Sequence, residues 1–89
     1  MIAREVVING ISGFESKMAT LFIQKASKYK SSIWIEKGER KANGKSLLGM
    51  MSLGLGNGTR IVIAADGEDQ KDAVQELGKF MEEGLKEEE

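Results

Sequence analysis

The sequence predicts an α+β protein, an open-faced sandwich in which a four-stranded antiparallel sheet carries three helices on one face. Three observations predict it. Val6-Val7-Ile8, Ser32-Ile33-Trp34-Ile35-Glu36 and Arg60-Ile61-Val62-Ile63-Ala64-Ala65 have the β-branched and aromatic content of strands. Ala19, Phe22, Ile23 and Ala26, and later Ala73, Leu77, Phe80 and Met81, recur at helical spacing. With 89 residues, 40% of them apolar, there is material for one core, so residues 1–89 are expected to form a single domain.

Taken in order, the first strand is expected at Val6-Val7-Ile8, with Asn9-Gly10 and the glycine- and serine-containing stretch to Gly13 forming the loop that leaves it. An amphipathic helix runs from Ser16 to near Tyr29, its core stripe being Ala19, Phe22, Ile23 and Ala26. The second strand follows, and Lys37-Gly38-Glu39 turns it into the polar strand Arg40-Lys41-Ala42. So charged a strand suits a sheet edge, where Lys and Arg discourage pairing with other chains. Asn43-Gly44 then leads into two helical turns capped by Ser46, with Met50 and Leu53 towards the core. Gly54, Gly56 and Gly58 release the chain into the most apolar strand, expected inside the sheet. Gly54-Leu55-Gly56-Asn57-Gly58 precedes that strand and lacks the context of a phosphate loop, so it reads as a connection. Asp66-Gly67-Glu68-Asp69 offers turn and capping oxygens to the last helix, and Lys86-Glu87-Glu88-Glu89 reads as a solvated end.

Composition excludes several functions. With 13 basic and 14 acidic residues the net charge is −1, so no global field draws the chain to nucleic acid or to an anionic membrane. There is no cysteine and no histidine, which removes disulfides, thiolate metal sites and the commonest neutral metal ligand. No metal or other cofactor is expected. The start, Met1-Ile2-Ala3-Arg4-Glu5, lacks the pattern of a secretion signal, and no segment approaches the roughly 20 apolar residues that span a bilayer. A cytoplasmic location is the expectation.

Three segments could carry function. Glu15, in Gly13-Phe14-Glu15-Ser16-Lys17-Met18-Ala19-Thr20, places a negative charge near a helix start, where the dipole favours it by about 0.3 to 1 kcal/mol. Ser46, if it caps a helix, has its hydroxyl among unpaired N–H groups, and a phosphate of charge about −1.5 to −2 is electrostatically welcome there. Its plainer role is that of an N-cap. The third segment is apolar: Met18 and Leu21 lie off the core stripe of the first helix, and Leu47, Leu48 and Met51 share a side of the short one. Together they could form one exposed, adaptable patch, flanked by Lys17 and Lys45, or they could finish a small core.

The stretch Gly13–Thr20 resembles the active-site segment of HPr, the phosphocarrier of the bacterial sugar phosphotransferase system, typically Gly-Ile-His-Ala-Arg-Pro-Ala-Thr. Glu15 stands at the position of the phosphohistidine, Lys17 at that of an arginine and Met18 at that of a proline. Gln24-Lys25-Ala26-Ser27-Lys28-Tyr29 is similar to that family's helix end, and Asn43-Gly44-Lys45-Ser46-Leu47-Leu48-Gly49-Met50-Met51-Ser52-Leu53-Gly54 looks like its regulatory-serine motif. The resemblance covers essentially the whole chain without a gap. It resembles a histidine-free branch of the family, which serves carbon catabolite repression, more than a working phosphocarrier, although that branch has glutamine where this chain has Glu15 and the chain departs further at Lys17 and Met18.

The resemblance implies an HPr-like fold and a non-enzymatic regulatory protein, phosphorylated on Ser46 by an HPr kinase/phosphorylase and then acting as corepressor for a LacI-class catabolite-control transcription factor. It places the partner surface at Glu15, Lys17, Met18, Leu21, Lys45, Leu47, Leu48 and Met51, and leaves DNA contact to the partner. Without a neutral imidazole, relay through histidine is excluded. Alternatives are an unphosphorylated module that adjusts a metabolic enzyme, phosphoryl relay through Glu15, and a homodimer formed by exchange of the first strand across the Ser12-Gly13 loop.

Overall fold

A computed structural model describes residues 1–9 and 16–83. Its elements are β1 (Ile2–Val7), α1 (Ser16–Ala26), β2 (Ser32–Lys37), β3 (Arg40–Asn43), α2 (Leu47–Ser52), β4 (Arg60–Asp66) and α3 (Gln70–Glu83). The four strands form one sheet in the order β1-β4-β2-β3, with every neighbouring pair antiparallel. This is the expected open-faced α+β sandwich. β4 lies inside the sheet and the charged β3 forms an edge, both as the sequence predicts.

The boundaries differ by more than one residue at two places. β1 starts at Ile2 rather than Val6, because pairing with β4 begins at Ile2↔Ala65 and continues to Val7↔Arg60. Arg4 and Glu5 conceal the strand in the sequence: Arg4 lies half-buried on the inner face and reaches Glu82 of α3 at 2.8 Å, while Glu5 points away from the helices. Ile8, beyond the strand's end, still donates to the Thr59 carbonyl at 2.9 Å and is buried. α1 stops at Ala26 rather than near Tyr29, since the amides of Lys28 and Tyr29 turn back to carbonyls only three residues earlier.

The core lies between the sheet and the helices. Val6, Ile33, Ile35, Ile61, Ile63 and Ala65 face Ala19, Phe22, Ala26, Met50, Leu53, Ala73, Leu77 and Met81. Phe22 is fully buried, and its ring centroid stands 6.4 Å from that of Phe80. Ile23 and Phe80 are partly buried against this core. On the open face of the sheet Lys41 holds its ammonium 5.0 Å from the Trp34 ring centroid, and Arg60 pairs with Glu5 at 3.8 Å.

One expectation is corrected here. Met18 is only 2% exposed and belongs to the core, so it does not stand off the buried stripe. α1 packs against both α2 and α3 besides covering the sheet, and the apolar arc it must present is therefore wider than that of a helix lying on a sheet alone. The stripe is rotated towards Met18 and Phe22, an i, i+4 pair, and away from Ile23.

Candidate functional site

The short segment around Ser46 is built from the loop upward. Asn43 accepts the Lys45 amide through its side-chain oxygen at 2.8 Å, which tightens the turn leaving β3. Ser46 then takes an extended backbone (φ −111°, ψ 117°) and its hydroxyl accepts the Gly49 amide at 3.1 Å, the geometry of an N-cap. The Ser46 carbonyl accepts the Met50 amide at 2.9 Å, so the serine opens α2 with both its side chain and its backbone. A side chain at position 49 would put its Cβ 3.3 Å from Ser46 Oγ; glycine leaves that space free.

α2 divides into two faces. Met50 and, just beyond the helix, Leu53 are buried at 0% and 1% exposure, as the sequence predicts. Leu47, Leu48 and Met51 are exposed at 47%, 81% and 44%. Among the described residues these are three of the five large apolar side chains that stand in water, the others being Met1 and Val7 on and beside β1. Leu47, Leu48 and Met51 thus stand exposed on one six-residue helix, directly after the half-buried Ser46, which makes this helix the candidate interaction surface.

The other residues singled out by sequence differ in their placement. Lys17 is exposed at the start of α1. Leu21 is half-buried and lines a shallow groove with Gln24, Lys25 and Lys28. Lys45 is half-buried, and its ammonium donates to the Tyr29 carbonyl at 2.8 Å, tying the start of α2 to the turn after α1. Met18 sits in the core and offers no surface. Glu15 and the Ser12-Gly13 loop lie outside the described residues, as do Lys86–Glu89.

Sequence reading missed two residues of this neighbourhood. Lys37 donates to the carbonyls of Leu53 and Gly54 at 3.1 and 2.8 Å, and Arg40 donates to the Ser52 carbonyl at 2.9 Å. Both act on the far end of α2. The available signal was a pair of cations bracketing the Gly38-Glu39 turn, which reads equally well as edge-strand charge. Among the described residues no group of three or more His, Cys, Asp or Glu is placed to hold a metal ion, and no helix is long and apolar enough to cross a membrane.

A family model described as "PTS HPr component phosphorylation site" matches residues 2–83. The chain therefore belongs to the HPr family. Among its relatives, the HPr-like protein Crh of Bacillus subtilis is 34% identical over 83 residues, covering 93% of this chain and 98% of the relative. Two solved structures are close in shape. HPr-C-His from Thermoanaerobacter tengcongensis superposes with a TM-score of 0.88 at 38% identity, covering 92% of each chain. Selenomethionyl Crh of Bacillus subtilis, described as a domain-swapped dimer, superposes with a TM-score of 0.76 at 33% identity, covering 97% of this chain and 100% of that one. An HPr-fold protein of the phosphotransferase and catabolite-repression type, similar to Crh, is the class that fold, site and relatives define together.

Proposed function

We propose that this chain is a cytoplasmic, non-catalytic regulator whose Ser46 is phosphorylated by an HPr kinase/phosphorylase, and whose phosphorylated form is the corepressor of a LacI-class catabolite-control transcription factor. The observation that carries the reading is the pairing of the Ser46 cap with the exposed Leu47, Leu48 and Met51 on the helix it opens. A phosphate added at Ser46 brings a charge of about −1.5 to −2 beside that apolar patch, and offers an anchor for an arginine or lysine of the partner. We assign Lys17 and Leu21 of α1 and Lys45 before α2 to the same partner surface, together with Glu15, which lies outside the described residues. The fold needs no rearrangement for this, because the patch is already turned outward.

Histidine relay has no nucleophile here, as the chain contains no histidine. On this reading the protein signals by its own modification, and phosphoryl relay through Glu15 is the alternative. Incubation with an HPr kinase and ATP tests this directly: one phosphate on Ser46, absent from Ser46→Ala, is expected by mass spectrometry. A chain that takes up no phosphate, while a conventional HPr is labelled alongside it, would instead be an unphosphorylated docking module for a metabolic enzyme.

A further inference from the structure

Six residues are too few for a helix to hold itself in water, so α2 depends on what grips its ends. Its start is fixed by the Ser46 cap. Its far end is fixed by cations, with Arg40 bound to the Ser52 carbonyl at 2.9 Å and Lys37 to those of Leu53 and Gly54 at 3.1 and 2.8 Å. Cations at a helix C-terminus bind the unpaired carbonyls and complement the negative end of the dipole.

Three further observations separate this pair from ordinary surface charge. Lys37 and Arg40 are direct cross-strand partners, so both donors are fixed to the rigid sheet. Neither has a carboxylate within ion-pair distance among the described residues, and the helix carbonyls are their described partners. α2 itself carries no basic residue in its last turn. The apolar grip on that segment comes from Met50 and Leu53, while Leu47, Leu48 and Met51 stand in water and hold nothing in place.

We infer that Lys37 and Arg40 are positioning residues: a two-pronged clamp on the β2–β3 hairpin that holds α2 in register and so presents Ser46 and the Leu47, Leu48 and Met51 face to the modifying and binding partners. The inference rests on the proposed role of α2 as the docking helix, and the clamp itself can be measured without any partner. Substituting methionine keeps the length of each side chain's stem and removes its donors.

Amide hydrogen exchange of the full chain is the test, comparing the parent with the double variant Lys37→Met, Arg40→Met. The Met50 and Leu53 amides should lose protection by about tenfold or more, while the β4 amides of Ile61 and Ile63 change by less than about twofold. Restoring the charges as Lys37→Arg and Arg40→Lys should return most of that protection. With HPr kinase and ATP, the methionine variant should show KM raised several-fold with kcat little changed. Unchanged protection in α2, or equal losses in α2 and β4, would overturn the clamp. A parent chain that takes no phosphate would overturn the Ser46 reading instead, and the exchange measurement would still decide the clamp.

Discussion

The Ser31 hydroxyl donates to the Asp69 carboxylate at 2.5 Å, and the same carboxylate accepts the backbone amides of Lys30 and Ser31 at 2.9 and 3.0 Å. Asp69 thereby ties the turn before β2 to the residues that open α3, whose Ala73 amide donates to the Asp69 carbonyl at 3.0 Å. Ser31 is the buried polar residue among the described ones, and this carboxylate is its partner.

That relationship fixes a pH dependence. The Ser31 hydrogen bond, followed by that from the Lys30 amide, holds the Asp69 carboxyl below its ordinary range. A group with a depressed folded pKa stabilises fully above its unfolded pKa of about 4, and loses that contribution as pH falls through the folded value. Glu76, held low chiefly by the Tyr29 hydroxyl, acts in the same direction. Asp69→Asn should therefore be less stable than the parent at neutral pH, the gap closing as the solution is acidified below about pH 4; urea unfolding at a series of pH values checks this.

Tyr29 titrates at the other extreme. Desolvation first, and then the hydrogen bond it donates to Glu76 with the charge of that carboxylate, push its pKa up to about 12. Stability from this hydroxyl is complete below its unfolded pKa of about 10 and is lost as pH rises through the folded value. The chain has a single tyrosine, so its phenolate absorbance reports this residue alone. The absorbance should rise near pH 12 in the folded protein. Glu76→Gln should bring it down, and an unchanged titration in that variant would dissociate Tyr29 from Glu76.

Gly67 has a backbone (φ +157°) that side chains rarely adopt, and it faces the same Ser31. A Cβ there would stand 2.5 Å from Ser31 Oγ and 2.6 Å from its Cα, and the backbone atom cannot swing aside. Gly67→Ala should cost about 1 to 3 kcal/mol or more, read as a lower midpoint in denaturant unfolding with unchanged slope.

Met18 and Leu48 separate core from surface. Met18→Ala removes a buried side chain and should cost about 2 to 5 kcal/mol. Leu48→Ala, at an 81% exposed position, should change stability by less than about 0.5 kcal/mol and weaken partner binding instead. Thermal unfolding of the two variants beside the parent is sufficient to distinguish them.

The sequence reveals most of the architecture because its periodicities are clean where single faces are buried. β2, β4, the Ser46 cap and the Ala73–Met81 stripe each follow one pattern, and each lies where that pattern puts it. β1 escapes because Arg4 spends its aliphatic stem on the inner face and reaches back to Glu82, a behaviour that hydrophobicity does not record. Met18 escapes because a helix touching two other helices buries a wider arc than its strongest stripe shows. Within the site, Leu47, Leu48 and Met51 are exposed as the spacing suggests. Lys37 and Arg40 are legible only once the hairpin and the end of α2 are brought together, since their partners are backbone carbonyls that any sequence would supply.

The most direct measurement is the affinity of a LacI-class catabolite-control protein for this chain before and after treatment with HPr kinase and ATP, with Leu48→Ala and Ser46→Ala carried in parallel. Binding should tighten by about tenfold or more on phosphorylation. Leu48→Ala should lose part of that gain and Ser46→Ala all of it. Equal affinity of the phosphorylated and unphosphorylated forms would contradict a switch built from charge at Ser46 beside an exposed apolar helix.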